Sequence, residues 1–484
     1  MKCLRWLVIL CCAAFALRVV SLIDATGLWS DELYTVGKSF QPSFAALLSM
    51  LRQDTHPPLY YSLVWLWGQW VPPTAVSLRS LSWLFYLGGG LVITLQAGAL
   101  AFERPKRAMG LAALLAFCSP YPVRFAIEGK GYALLVLLVA MAWWLRQRRQ
   151  CWAYGGIVAL AALTHYYGLF LFAAAMVWDA CRGRRGLALS AAFGLVPSVM
   201  WMVFASAYLL RSGTGAWIGP PDFALFEDSL ARALGLWPLP KLAVLGLGGW
   251  ALVHWCSAPS PPPTSALQAK TSSLALADHS GLLPSLAMVI GVVMISYWKP
   301  MAFSRYFVVV LPALIPWLAV QGAALSLTRF GQRMAVLLLM VFVISWWWHA
   351  FAELDPGIRG LASREGDQFQ LISRSLASEP YRFSRRERLL NLSDRTEVAA
   401  RRMQAPPTAW ADSGALDRLL RQDDPPSVLW LADSGDQDGV RPRLKPMVRR
   451  ANAAGYSCLE GLQDAPYAQV WRCERFNPEP VERP

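Results

Sequence analysis

The sequence is short of charge. Asp, Glu, Lys and Arg make up 16% of its 484 residues, against roughly 25% in ordinary soluble domains. With 55% of residues hydrophobic and a mean hydropathy of +0.36, a soluble globular chain is excluded. Metal and redox signatures are missing too. The nine cysteines hold no CxxC pair and no zinc spacing, which removes zinc modules and thioredoxin-like sites. Cys3, Cys11, Cys12, Cys118, Cys151, Cys181 and Cys256 lie in or beside apolar segments and read as buried thiols. No nucleic-acid motif accompanies the formal charge of +14. The first apolar run lacks a clean small-x-small cleavage site, so it reads as an uncleaved anchor rather than a signal peptide.

What is present is a series of apolar runs long enough to span a bilayer. Leu4–Ile23 is the first, behind Lys2 and Arg5, and its far end then faces outward. A long outer loop, 24–74, follows. Within it, Pro42–Leu51 reads as a short amphipathic helix on the membrane, and Leu59–Val71 as a re-entrant or surface helix stopped by Pro72 and Pro73. The basic groups Arg104/Lys106/Arg107, Arg146/Arg148/Arg149 and Arg182/Arg184/Arg185 then read as cytoplasmic by the positive-inside rule. Alternation places further spans at 77–102, 109–123, 132–145, 152–163, 166–180, 187–210, 234–255, 282–298, 306–327 and 334–350. The fold class is an α-helical polytopic membrane protein of about eleven spans, with residues 1–350 as the membrane domain. The Pro/Ser/Ala-rich stretch Ser257–Ser280 reads as a flexible cytoplasmic linker. Residues 351–484 read as a small α/β domain outside the membrane. The chain is thus expected in the inner or plasma membrane, N-terminus cytoplasmic and C-terminal domain extracytoplasmic.

This topology gathers the unusual polar residues at the outer ends of spans: Asp31, Glu32, His56, Arg124, Glu128, Lys130, His165, Lys299 and Arg305. Ionisable groups near membrane depth are costly and mark function. A carboxylate can take the proton of an attacking hydroxyl. Arg305 and Lys299 can hold phosphate, one as a fork and the other as a point charge. A base beside phosphate-binding cations at a membrane surface suits transfer from a lipid-phosphate donor, in which positive charge stabilises the leaving group.

The motifs that carry this chemistry are Trp29-Ser30-Asp31-Glu32, His56-Pro57-Pro58-Leu59-Tyr60-Tyr61, Leu78-Arg79-Ser80-Leu81-Ser82, Ser119-Pro120 through Glu128 to Tyr132, Thr164-His165-Tyr166 and Ser304-Arg305-Tyr306-Phe307. In this order the chain resembles the GT-C glycosyltransferases. It is most similar to the bacterial mannosyltransferase-like group related to protein O-mannosyltransferases and aminoarabinose lipid A transferases. The resemblance implies a polyprenyl-phosphate sugar donor among membrane lipids and a hydroxyl acceptor on a glycolipid, glycan or protein. It makes Asp31 the base or acceptor-orienting acid with Glu32 beside it. His56 is placed at the donor head group, and Glu128, Lys130, Tyr132, His165 and Arg305 on the donor and phosphate side. Where that family has Glu-x-Arg before the tyrosine, this chain has Glu128-Gly129-Lys130, which replaces a bidentate contact by a point charge. No cofactor is required; Asp31 and Glu32 are candidates for a divalent cation, with no third ligand given by spacing. Two rival readings share some features. A glycan ligase uses the same donor chemistry. A transporter or flippase predicts internal repeats and polar mid-membrane helices, and no clear repeat is present.

In the tail, Val428–Leu431 and Ala468–Arg472 read as strands. Cys458 and Cys473 flank a turn-forming stretch, Gly461–Pro466. Outside the membrane the compartment is oxidising, so a Cys458–Cys473 disulfide is expected.

Overall fold

The structure is a computed structural model. It describes residues 2–23, 30–71, 75–118, 125–210, 218–234, 273–325, 387–391, 408–410, 415–421, 423, 425, 428–434, 437–460 and 468–475. The chain divides into two compact units. One comprises Met1–Leu22, Ala45–Leu63 and Arg79–Leu354; the other comprises Ile23–Phe44, Val64–Leu78 and Asp355–Pro484.

The helices, in chain order, are α1 (Lys2–Leu22), α2 (Ser30–Ser39), α3 (Phe44–Leu51), α4 (Leu59–Trp67), α5 (Ala75–Leu100), α6 (Pro105–Phe117), α7 (Tyr132–Gln147), α8 (Cys151–Thr164), α9 (Tyr166–Cys181), α10 (Arg185–Phe204), α11 (Ser206–Leu209), α12 (Phe223–Leu234), α13 (Ser273–Ser280), α14 (Leu282–Ser296) and α15 (Leu311–Ala324), the last entered through a 3₁₀ turn at Ser304–Val310. Val76–Leu100, Arg185–Phe204 and Ser304–Ala324 are long and apolar enough to cross a membrane. The bent pair Leu274–Ser280 and Leu282–Ser296 makes a fourth among the described residues if counted as one span. Val8–Leu22, Tyr132–Gln147, Cys151–Thr164 and Tyr166–Cys181 are apolar but shorter. The expected spans at 234–255 and 334–350 lie outside the described residues, apart from Leu234. Phe193, Met200, Val203 and Trp152 stand exposed on these helices, as expected of side chains that face lipid rather than water.

Small residues let the helices approach. A Cβ on Gly194 would lie 2.4 Å from the Gly155 carbonyl oxygen, and one on Gly168 would lie 2.5 Å from that of Ala161. Packing of this kind replaces the hydrophobic drive that lipid removes. The break between α13 and α14 bends the chain by 77°. It is made at Gly281, whose φ is +88°, and a Cβ there would sit 2.4 Å from the Trp143 ring.

Two sequence expectations need correction here. The expected linker Ser257–Ser280 lies outside the described residues up to 272, and its end, Ser273–Ser280, is helix: SLALADHS is rich in Leu and Ala, which favour helix. Arg146 and Arg184 are not simple loop charges. The Arg146 guanidinium forks onto Asp179 (Nε–Oδ2 2.9 Å, Nη2–Oδ1 2.6 Å) and donates to the Asp278 carbonyl at 2.8 Å and to Asp278 Oδ1 at 3.2 Å. Arg184 donates to Asp179 at 3.1 Å and to both carboxylate oxygens of Asp278. Trp178 Nε1 adds a bond to Asp278 at 2.9 Å. Two cations and two anions thus close on each other at the ends of α7, α9 and α13.

In the second unit, α4 is tied to the link between α2 and α3 by Trp65 Nε1 donating to the Gln41 carbonyl at 3.0 Å, with the Phe44 and Trp65 rings 5.5 Å apart. Its tail part is a five-stranded mixed sheet, β1 (Glu387–Asn391), β2 (Thr408–Trp410), β3 (Val428–Ser434), β4 (Tyr456–Glu460) and β5 (Ala468–Arg475), in the order β2-β1-β3-β5-β4. β1 runs parallel to β2 and β3, while β5 is antiparallel to β3 and β4. The helices α16 (Ala415–Leu420) and α17 (Gln437–Ala453) cover a core of Leu416, Leu419, Leu429, Leu431, Val448, Ala451, Tyr456 and Cys473. Cys458 and Cys473 are directly opposite across β4 and β5 and are joined by a disulfide.

Candidate active site

The segment after α1 holds the two acids on helix. Asp31 and Glu32 fall in the first turn of α2. Glu32 is buried, 1% exposed; the Asp31 side chain, Trp29 and Arg124 lie outside the described set. Among the described residues no group of three His, Cys, Asp or Glu is placed to hold a metal ion.

In the other unit a ring cluster forms around His165. This residue ends α8 and starts α9 in extended conformation, and its Nδ1 accepts the Tyr167 amide at 3.1 Å, capping α9. The cap satisfies one of the orphan amides of the helix start and fixes the tautomer, with Nδ1 as acceptor. The surrounding rings come from four places in the sequence. His56 lies 6.3 Å away, Tyr132 5.8 Å, Tyr167 5.7 Å and Tyr306 5.0 Å, centroid to centroid. Phe125 packs on Tyr132 at 5.1 Å and Phe303 on Tyr306 at 5.5 Å. Burial, then the positive charges of His56, Lys130 and Arg305, push the His165 imidazole down to about 3. His165 is therefore a neutral ring in a positive field.

Lys130 and Glu128 are both 5% exposed on the turn before α7, where the Lys130 amide donates to the Glu128 carbonyl at 2.7 Å. Arg305 stands over the Phe303 ring at 4.7 Å. Its position is set by the turn after α14. Ser296 Oγ accepts the amides of Met301 at 3.3 Å and Ala302 at 2.9 Å, while Tyr167 Oη donates to the Met301 carbonyl at 2.7 Å. Lys299 is exposed on that turn, and no described contact ties it to the ring cluster.

His56 sits between α3 and α4, with Tyr61 edge-on at 5.9 Å. Its Nδ1 is 3.1 Å from Thr55 Oγ1 and 3.5 Å from Asp54 Oδ1. The structure therefore brings together His56, Lys130, Tyr132, His165 and Arg305, and leaves Lys299 apart. Sequence reading passed over Asp54, Tyr167 and Tyr306 as individual site residues. For Asp54 a signal existed, an acid two residues before the histidine; the two tyrosines join only through the fold.

No family model and no curated protein matches the sequence. The fold does match solved structures. ArnT from Cupriavidus metallidurans in the apo state superposes with a TM-score of 0.60 at 13% identity, covering 98% of this chain and 98% of that one. The same protein bound to undecaprenyl phosphate gives 0.54 at 14% identity, covering 96% and 97%. At 0.40 the likeness to the archaeal oligosaccharyltransferase AglB from Archaeoglobus fulgidus is weak, with 14% identity over 89% of this chain and 69% of that one. The likeness to ArnT is one of fold, over almost the whole chain.

Proposed function

We propose that the chain is a membrane glycosyltransferase that moves a sugar from a polyprenyl-phosphate donor to a hydroxyl acceptor at the outer membrane face. The observation that carries this reading is the set of cations, buried Lys130 with half-buried Arg305 and His56, around buried, neutral His165, in a helical fold shared with a protein solved with undecaprenyl phosphate. Lys130 and Arg305 suit the phosphate, and the neutral His165 Nε2–H is a donor that adds no charge. Tyr132 and Tyr306 offer apolar ring surface with a hydrogen-bonding tip, fitted to a sugar. Glu128 balances Lys130. Lys299, exposed nearby in sequence, serves approach of the anionic head group rather than its seat.

The chemistry is displacement at the anomeric carbon. The acceptor oxygen forms the new bond to that carbon as the bond to the phosphate oxygen breaks. The acceptor proton goes to a carboxylate base, the role the motif resemblance gives Asp31 with Glu32 beside it, and the electron pair leaves with the lipid phosphate, whose charge Arg305 and Lys130 suit. Segments Ile23–Phe44 and Val64–Leu78 share a compact unit with the tail, which supports placing the acid-bearing loop and the tail on one side of the membrane.

The test is purified protein in liposomes with radiolabelled polyprenyl-phosphate sugars and candidate acceptors from the cell envelope. Transfer should occur directly from the lipid donor, and Asp31→Asn should lower it by roughly two to four orders of magnitude while the protein still folds. Direct transfer from a soluble nucleotide sugar without a lipid carrier overturns the reading.

A further inference from the structure

His56 and its neighbours make an arrangement that phosphate binding alone does not call for. The residue lies on a short connection between α3 and α4. Asp54 closes the last turn of α3, its amide donating to the Leu51 carbonyl at 3.1 Å. The Thr55 amide donates to Asp54 Oδ1 at 2.6 Å, and the Thr55 hydroxyl lies 3.4 Å from the same oxygen. Pro57 follows the histidine and restricts its backbone to extended conformations. Three short-range constraints therefore hold one ring edge against one carboxylate. The side chains of His56 and Asp54 are 25% and 10% exposed.

The carboxylate beside Nδ1 favours one tautomer of His56. A carboxylate only accepts. With the proton on Nδ1, the ring donates to Thr55 Oγ1 and toward Asp54 Oδ1, and the Thr55 hydroxyl donates onward to Asp54. With the proton on Nε2, the Nδ1 lone pair would face the carboxylate instead. The first state is favoured, and in it the neutral ring carries its lone pair on Nε2.

We propose that Asp54, together with Thr55, is a positioning residue that fixes His56 with Nδ1–H inward, and that His56 in its protonated form passes the Nε2 proton to the departing lipid phosphate. This rests on the transferase reading. The step balances: the anomeric carbon–oxygen bond breaks, its electron pair goes to the phosphate oxygen, and the phosphate takes the Nε2 proton. The acceptor's proton goes to the base of the transferase reading, and solvent reprotonates His56. The groups facing the ring are Asp54 and Thr55 on its own connection, Tyr61 on α4, and His165 at the α8–α9 turn with Lys130 and Arg305 acting on it. The last two are cations and oppose a second positive charge; Asp54 is the carboxylate that the described contacts put on the ring.

The experiment has two arms. In turnover, Asp54→Asn should lower kcat roughly 10²-fold with KM for the polyprenyl-phosphate sugar within about threefold. Asp54→Glu should recover part of the loss, and Asp54→Asn added to His56→Ala should cost nothing further, as for residues that act as a unit. The second arm needs no turnover. Carbethoxylation of His56 by diethyl pyrocarbonate, followed by peptide mass spectrometry across pH 5–8, reads the ring's protonation. Loss of the neighbouring negative charge in Asp54→Asn should move the labelling midpoint to lower pH. Unchanged kcat with an unmoved midpoint overturns the proposal, as does a full additive loss in the double variant. A shifted midpoint in a protein that transfers no sugar keeps the Asp54–His56 pair and ends the transferase reading.

Discussion

Asp179→Asn tests how the membrane unit is held together. Asp179 is fully buried and Arg146 is 3% exposed by side chain. The wild-type set of Arg146, Arg184, Asp179 and Asp278 sums to zero charge. Removing one carboxylate charge leaves two guanidiniums facing one carboxylate, and the Asn amide keeps one acceptor for Arg146 but turns a donor NH2 to the other prong of its fork. Breaking a buried pair in this way costs about 3–5 kcal/mol. Arg184→Ala differs: its side chain is 24% exposed, and the Arg146–Asp179 fork survives, so about 1–3 kcal/mol is expected for lost charged hydrogen bonds.

The assay is thermal unfolding in detergent, followed by tryptophan fluorescence. At roughly 2–4 °C per kcal/mol, Asp179→Asn should melt roughly 6–20 °C below wild type, and Arg184→Ala less far below it. The combination Arg146→Met with Asp179→Leu leaves the neutral pair Arg184–Asp278 and should be more stable than Asp179→Asn, because apolar replacement of both partners removes the orphaned charge. An Asp179→Asn protein melting within about 2 °C of wild type refutes the reasoning. A double variant weaker than that single variant does so as well.

Arg305→Ala should raise KM for the polyprenyl-phosphate donor with expression unchanged, and Arg305→Lys should restore it only in part, since a point charge replaces a fork; equal kinetics in all three proteins removes Arg305 from the phosphate. Reporter fusions after Arg185 and after Pro425 should report cytoplasmic and external locations, and both on one side rejects the alternation. His165 makes stability depend on pH: the unfolded ring takes a proton near 6.5 while the folded ring stays neutral to about 3. The unfolded state therefore binds more protons in that window, and stability is lost as pH falls below about 6.5. His165→Asn, a side chain that caps without titrating, should flatten the dependence of melting on pH between 6.5 and 5; an unaltered slope shows that His165 is not its source.

Much of the plan is legible in local pattern. The run Leu4–Ile23 becomes helix Lys2–Leu22, because composition alone fixes a long apolar helix. The run Leu59–Val71 becomes the nine-residue α4, about 14 Å long and too short to cross. The strands at Val428 and Ala468 and the Cys458–Cys473 bond follow from alternation and turn residues. The ion network was not legible. Arg146 finds Asp179 and Asp278 at separations of 33 and 132 residues, and no periodicity connects them. Basic residues near span ends look the same whether they snorkel to solvent or close on a buried acid. The residues His56, Lys130, Tyr132, His165 and Arg305, which the structure brings together, were legible as a set near span ends, but the centre of that cluster was not. His165 becomes central only when α8 and α9 fold back and bring its ring to Tyr306, a contact between residues 141 positions apart in sequence.

The segment from Ser273 to Ala324 joins these two features physically. At its start, Asp278 is clamped by Arg146, Arg184 and Trp178. Gly281 then turns the chain against Trp143 where a side chain would clash, which sets the direction of α14. At the far end of α14, Ser296 collects the amides of Met301 and Ala302, and Tyr167 holds the Met301 carbonyl. Only then do Arg305 and Tyr306 arrive at His165. Charge at one end of the helix thus fixes the axis, and hydrogen bonds at the other fix the exit. In the proposed phosphate role Arg305 needs both, because ground lost in either place displaces the fork from an anion held in two parallel bonds. Buried charge here stabilises weakly for its cost, and its use is to give one orientation to a helix that lipid alone would leave free to rotate and slide.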